Sequence, residues 1–132
     1  MKAIYVDSSV IVSILFREPH SKKLLEIINQ TSSTCYSSQI LEAEVYASAT
    51  RENIVLAEAH KLLMHINLLL PERSLRKEYK EIFSAGYCRG ADAYHIACAL
   101  YLDPERTNLI FLTADQRQQE VAKKVKLTTV SG

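Results

Sequence analysis

A chain of 132 residues and 14.9 kDa leaves room for one domain, which spans 1–132. Apolar residues at 48% and charged residues at 23% are ordinary globular values, and a chain of this size buries enough surface to fold without a disulfide or zinc staple. Sixteen Lys and Arg against fifteen Asp and Glu leave a net charge of +1, which excludes a polybasic nucleic-acid coat as a property of the whole chain.

Taken in order, Ala3–Val6 is a short apolar, β-branched run that predicts a buried strand. Ser8–Phe16 predicts a helix closed by Arg17-Glu18-Pro19, and Ser21–Gln30 places Leu24, Leu25, Ile27 and Ile28 on one helical face. Thr34–Ser37 reads as a second strand. Ser38 is the expected cap of a helix to about Arg51, and Asn53 of another to about Met64. Asn67–Leu70 is the third strand, stopped by Pro71; Ser74–Ala85 is a helix stopped by Gly86. Ala91–Leu102 is apolar nearly all round, as a buried helix is. Leu109–Leu112 is a fourth strand, Gln116–Lys124 a helix, and Leu127–Val130 a fifth strand. This alternation predicts an α/β protein of three layers, a parallel sheet with helices on both faces. Ligands in such folds bind beyond the carboxyl ends of the strands, where the strand order reverses.

Cys35, Cys88 and Cys98 form no C-x-x-C pair and are odd in number, so they are expected to be reduced core thiols of a cytoplasmic protein. The first residues carry no signal-peptide pattern, and no apolar run approaches the ~20 residues of a membrane span, so no membrane association is expected.

Four carboxylates stand out. Asp7 and Asp115 each leave a strand, and each reads equally as a helix cap. Asp92 opens the buried helix, where the helix dipole alone favours an acid. Glu44 lies about 40° from Ile40 on the helical wheel, within an arc of Ala43, Ala47, Leu41 and Val45, whereas Glu42 falls outside that arc and is expected in solvent. A carboxylate facing the core needs a hydrogen bond, a cation or a partner such as arginine. If the first and fourth strands are neighbours, Asp7 and Asp115 share one crevice. Carboxylates crowded there repel one another and raise some of their pKa values, which a hard divalent cation, Mg²⁺ or Mn²⁺, would relieve.

Other chemistries lack their residues. His60 and His65 are five apart and so do not share a helix face, and His95, one turn beyond Asp92, is read as a core or supporting histidine rather than a ligand. No G-x-G-x-x-G, G-x-x-x-x-G-K-[ST] or G-x-S-x-G occurs. A response-regulator receiver would show paired acids after its first strand and a Lys-Pro after its last, and neither is present.

Four segments, I-Y-V-D-S-S-V-I-V, S-S-Q-I-L-E-A-E-V-Y-A-S-A, G-A-D-A-Y-H-I-A-C-A-L and I-F-L-T-A-D-Q-R, resemble the PIN (PilT N-terminal) domain family, and most of all the VapC toxins of toxin–antitoxin pairs. The resemblance runs from Asp7 to Asp115, with the closing L-T-T-V matching the family's last strand. The stretch from Leu70 to Ala85 follows none of its motifs. The resemblance implies a five-stranded parallel sheet in order 3-2-1-4-5. It implies an acidic catalytic and metal-binding set of Asp7, Glu44, Asp92 and Asp115, with Ser8 or Ser9 and Thr113 as supporting hydroxyls. It further implies Mg²⁺- or Mn²⁺-dependent cleavage of RNA, a homodimer and a cognate antitoxin partner. A catalytically inactive PIN-like module that binds RNA or protein is the alternative. Arg17, Arg89 and Arg117 lie beside the motifs as phosphate contacts or as solvated surface. Ile54, Leu56, Leu62 and Leu63 are the candidate apolar interface.

Overall fold

The computed structural model describes residues 2–30 and 33–130. In chain order the elements are β1 (Lys2–Val6), α1 (Ser8–Leu15), α2 (Ser21–Ile28), β2 (Ser33–Ser38), α3 (Leu41–Arg51), α4 (Leu56–Leu63), β3 (Ile66–Leu69), α5 (Arg76–Ala85), α6 (Gly90–Leu102), β4 (Leu109–Leu112), α7 (Gln116–Lys124) and β5 (Thr128–Thr129). The five strands form one parallel sheet in the order β3-β2-β1-β4-β5. The expected fold class and strand order are both present.

Both faces of the sheet are covered because side chains alternate across the central strands. Tyr5 and Phe111 turn to one face and pack with Ile82, Ile96, Val121 and their neighbours from α5, α6 and α7. Ile4, Val6 and Leu112 turn to the other, with Val10, Leu24, Leu41, Val45 and Ala59 from α1 to α4. The Tyr5 and Phe111 rings stack across the β1–β4 pair, centroids 5.6 Å apart. Because β1 pairs with β4 through Val6 and Leu112, the next residues, Asp7 and Thr113, emerge together at the carboxyl edge.

Two expected caps are corrected. α3 starts at Leu41 with Ile40 at its N-cap and no side-chain cap, because Ser38 is still in β2, paired with Leu69 of β3. α4 starts at Leu56 behind Val55, and Asn53 instead ends α3, with φ 58°. Asparagine tolerates the left-handed conformation that follows a helix, so the same residue type serves either end. β3 runs one residue earlier than expected, and β5 shortens to Thr128–Thr129. All three cysteines are buried and unbridged. Among the described residues no helix is long and apolar enough to cross a membrane.

Candidate active site at the carboxyl edge of the sheet

Asp7 is 2% exposed and caps α1, its Oδ2 accepting from the Ser9 N–H at 3.0 Å. Asp115 caps α7, its Oδ1 accepting from the Gln118 N–H at 2.9 Å. Capping and membership of the site are therefore not alternatives, since each aspartate keeps a second oxygen after the cap is made.

Gln118 links the two strand ends. It is fully buried, and its Nε2 donates to Asp7 Oδ1 at 3.1 Å and to the Asp92 carbonyl at 3.2 Å. Its Oε1 accepts from the Thr113 hydroxyl at 2.6 Å. The amide orientation follows from its neighbours: two acceptors face the nitrogen and one donor faces the oxygen. Thr113 Oγ1 also accepts from the Asp115 N–H at 3.0 Å and lies 3.1 Å from Ser9 Oγ, which in turn accepts from the Ala114 N–H at 2.9 Å. Of the expected hydroxyls, Ser9 and Thr113 join this network; among the described residues Ser8 makes no side-chain hydrogen bond to it.

Glu44 reaches the site from α3 through a histidine rather than an arginine. His95 Nε2 lies 2.7 Å from Glu44 Oε1 and 3.6 Å from Asp7 Oδ1, and its Nδ1 is 2.8 Å from the Tyr5 hydroxyl. A carboxylate only accepts, so the ring donates to Glu44 from Nε2. Burial alone would discharge the ring. The hydrogen bond donated to Glu44 and the charges of Asp7, Glu44 and Asp92 outweigh that and hold the His95 pKa above its ordinary value. Burial drives the Tyr5 hydroxyl far above the ordinary phenol range, so it stays protonated beside the ring.

The buried stripe of α3 is Leu41, Val45 and Ala49, whereas Ala43 and Ala47, expected on the core arc, are exposed. Glu44 flanks that stripe, and Glu42, expected in solvent, is half-buried.

Asp92 records the crowding. Burial, then the negative charges of Asp7 and Asp115, push its carboxyl up to about 6; Glu44 adds to the rise and His95 opposes it. The other three acids thus all act on Asp92, yet among the described residues no three His, Cys, Asp or Glu side chains stand close enough together to hold a metal ion. Asp7 is turned onto Gln118 and Ser9, and Glu44 onto His95. The donor chemistry is nevertheless that of a hard cation. The groups at this edge are carboxylates and hydroxyls, and the Cys88 thiol is pushed up to about 11 by burial and by Asp92 and Asp115, so it offers no thiolate.

The sequence reading missed Gln118 as a site residue. Its signal was present: Gln118, Val121, Ala122 and Val125 follow the i, i+3, i+4, i+7 spacing of a buried stripe, and all four are buried.

An α/β sheet in this order with acids at its carboxyl edge is the architecture of a PIN domain. The PIN domain family model matches residues 4–124, and the chain belongs to that family. Ribonuclease VapC46 of Mycobacterium tuberculosis is 30% identical to it, covering 99% of this chain and 98% of that protein. The solved structure of VapBC-1 from nontypeable Haemophilus influenzae shares the fold with a TM-score of 0.68, at 15% identity over 98% of this chain and 97% of the other.

Proposed function

We propose that the protein is a metal-dependent endoribonuclease, the toxin of a toxin–antitoxin pair, with Asp7, Glu44, Asp92 and Asp115 as its catalytic and metal-binding acids. The observation that carries this reading is Asp92, held to about 6 by burial and by three neighbouring carboxylates, none of which is ion-paired to an arginine or lysine among the described residues. Like charge gathered at a strand edge costs stability unless something positive occupies the site in the working protein. A relative named as a ribonuclease, aligned along nearly the whole chain, supports RNA as the substrate.

Mg²⁺ or Mn²⁺ bound by Asp7, Asp92 and Asp115 would supply Lewis acidity toward a phosphodiester and its attacking water. The chain's own residues do the positioning. Gln118 and the Ser9 N–H fix both oxygens of Asp7, and Thr113 fixes Gln118 and the start of α7. His95 holds Glu44 toward the other acids, which places its carboxylate to orient a nucleophile. An RNA strand reaches such a crevice most easily when single-stranded or looped.

An antitoxin, in line with the VapBC structure that shares the fold, and a second copy of the chain are the proposed partners. Of the expected interface residues, Leu56 is exposed, Ile54 and Leu62 are half-buried, and Leu63 belongs to the core; Val55 and Met64 are exposed beside them. Light scattering that shows only monomer, with no co-purifying partner, would contradict this part.

The test of the activity is purified protein with defined RNAs in Mg²⁺, Mn²⁺ or EDTA. Cleavage is expected with either ion and none in EDTA. Cleavage undiminished by excess EDTA overturns the metal requirement, and RNA binding without cleavage under any condition favours an inactive binding module.

A further inference from the structure

Between α5 and α6 the chain runs extended, with Gly86 at φ 177°, ψ −175° and Arg89 at φ −67°, ψ 157°. Neighbouring side chains on extended backbone point to opposite sides. Cys88 turns inward and is 2% exposed, part of the core cluster that includes Val121. Tyr87 and Arg89, on either side of it, are therefore presented outward, and Tyr87 is 68% exposed. Together with Arg117, Asp92 and Asp115 they line a cavity of about 330 Å³ with Cys88 at its wall.

The protein itself gains little from these side chains. Among the described residues neither Arg89 nor Arg117 makes an ion pair or a side-chain hydrogen bond, although two carboxylates share their cavity. Arg89 is the N-cap residue of α6 but makes no capping bond, and Arg117 sits in the first turn of α7, where the helix dipole disfavours a cation. Their value lies in what approaches from outside. A polyanionic strand moving toward four carboxylates is repelled, and cations beside the acids offset that repulsion. The cavity on the other side of Asp115, also about 330 Å³, has a different character: His20, Thr113, Gln116 and Gln119 line it, with no arginine or lysine.

We propose that the Tyr87 cavity is the subsite for one nucleotide of single-stranded RNA, its base stacked on the Tyr87 ring and its flanking phosphates held by Arg89 and Arg117. The scissile phosphate then lies at Asp92 and Asp115. The inference rests on the ribonuclease reading and deepens it. Stacking on an exposed ring is open only to an unpaired base, and guanidinium groups suit phosphate by their planar fork of donors. The subsite therefore selects single strands without reading a particular base.

The test uses the full chain and a labelled, mixed-sequence single-stranded RNA, with affinity measured by fluorescence anisotropy in EDTA and cleavage measured in Mn²⁺. Tyr87→Ala is expected to raise Kd about tenfold or more, and Tyr87→Phe, which keeps the ring, to stay close to the native value. Arg89→Ala and Arg117→Ala should each weaken binding and reduce the salt dependence of log K by about 0.7. In cleavage these variants raise KM and leave kcat nearly unchanged, because they hold ground and transition states alike. The same sequence as a duplex should bind without dependence on Tyr87. Native affinity in Tyr87→Ala overturns the subsite, as does an equal loss in Tyr87→Phe. Arginine variants with undiminished RNA affinity also overturn it, since they would make Arg89 and Arg117 mere counterions of Asp92 and Asp115. If the native protein cleaves RNA and these losses are absent, the subsite alone fails; if it neither binds nor cleaves RNA, the ribonuclease reading fails and the subsite with it.

Discussion

Two carboxylates on neighbouring helices, Glu78 of α5 and Asp92 of α6, are treated in opposite ways. Glu78 is 7% exposed and meets the Arg73 guanidinium at both oxygens, at 3.0 Å and 2.7 Å, with Arg73 lying 5.0 Å from the centre of the Tyr101 ring. Arg73 holds its carboxyl below the usual range, against the opposing pull of burial. Asp92 has no such partner, and burial with the charges of Asp7 and Asp115 raises it to about 6. At α5 the chain neutralises its own charge, which serves folding. At the carboxyl edge four acids meet one histidine and no paired arginine, which leaves an excess of negative charge to be neutralised by something that binds, and that is how a site differs from a structural ion pair.

The largest expected effect breaks the site and spares the pair. Asp7→Asn keeps the shape that caps α1 but removes a charge at the centre of the acidic set. RNA cleavage should fall at least ~1000-fold, about 4 kcal/mol of transition-state stabilisation, with far-UV circular dichroism unchanged. The rise in melting temperature that Mn²⁺ gives the native protein should disappear as well, because an ion that binds only the folded state stabilises it. Arg73→Gln should do the reverse, lowering the melting temperature and leaving cleavage per folded molecule intact. A native protein whose melting is indifferent to divalent ions would remove the contrast.

A smaller effect separates two glutamates of α3. Glu44→Gln should reduce cleavage about 100-fold, near 2.7 kcal/mol, and Glu42→Gln should leave it nearly unchanged, although Glu42 is half-buried. Loss of activity in Glu42→Gln alone would mean that the helix presents a different face to the site.

These contrasts also show what a sequence can and cannot carry. Asp7, Asp92 and Asp115 were legible because each sits where an apolar run meets a helix start, and β4 and α7 have the limits that periodicity predicts. Glu44 was legible as an acid near the core, but its partner was not. His95 is one of many buried positions on a helix that is apolar all round, and nothing local says that it points to α3. Gln118 lay hidden in a polar run, Q-R-Q-Q-E, where composition argues for solvent and only spacing argues for burial. The caps at Ser38 and Asn53 failed because strand pairing claimed one residue and a left-handed helix end the other.

The Tyr5–His95–Glu44 chain gives a smaller effect still. Tyr5→Phe leaves Glu44 in place but removes the hydroxyl 2.8 Å from His95 Nδ1, so the ring loses one of the contacts that fix it. Cleavage should fall by no more than about tenfold, about 1.4 kcal/mol. The loss should be nearly absent when Glu44 is already Gln, since the tyrosine acts only through that carboxylate. Additive losses in the double variant would make Tyr5 a core residue and no more.

The smallest effect is a slope, and it sharpens the opening contrast most directly. Glu78, held below its ordinary value of 4.5, contributes stability that is present above that value and is lost as pH falls through its folded-state pKa. Asp92, raised from 3.8 to about 6, does the opposite: the folded protein holds its proton more tightly, so its contribution is present below 3.8 and is lost as pH rises through about 6. Melting temperature measured against pH in EDTA should therefore respond in opposite senses to neutralising each residue. Asp92→Asn should remove a decline between about pH 4 and 6, and Glu78→Gln should remove a rise on the acid side of the same curve. Saturating Mn²⁺ should cancel the Asp92 decline, because the ion favours the carboxylate that its neighbours disfavour, and should leave the Glu78 rise untouched. If both substitutions tilt the curve the same way, Asp92 is neutralised by the chain itself, and the carboxyl edge is an ordinary ion-pair network rather than a site awaiting a cation.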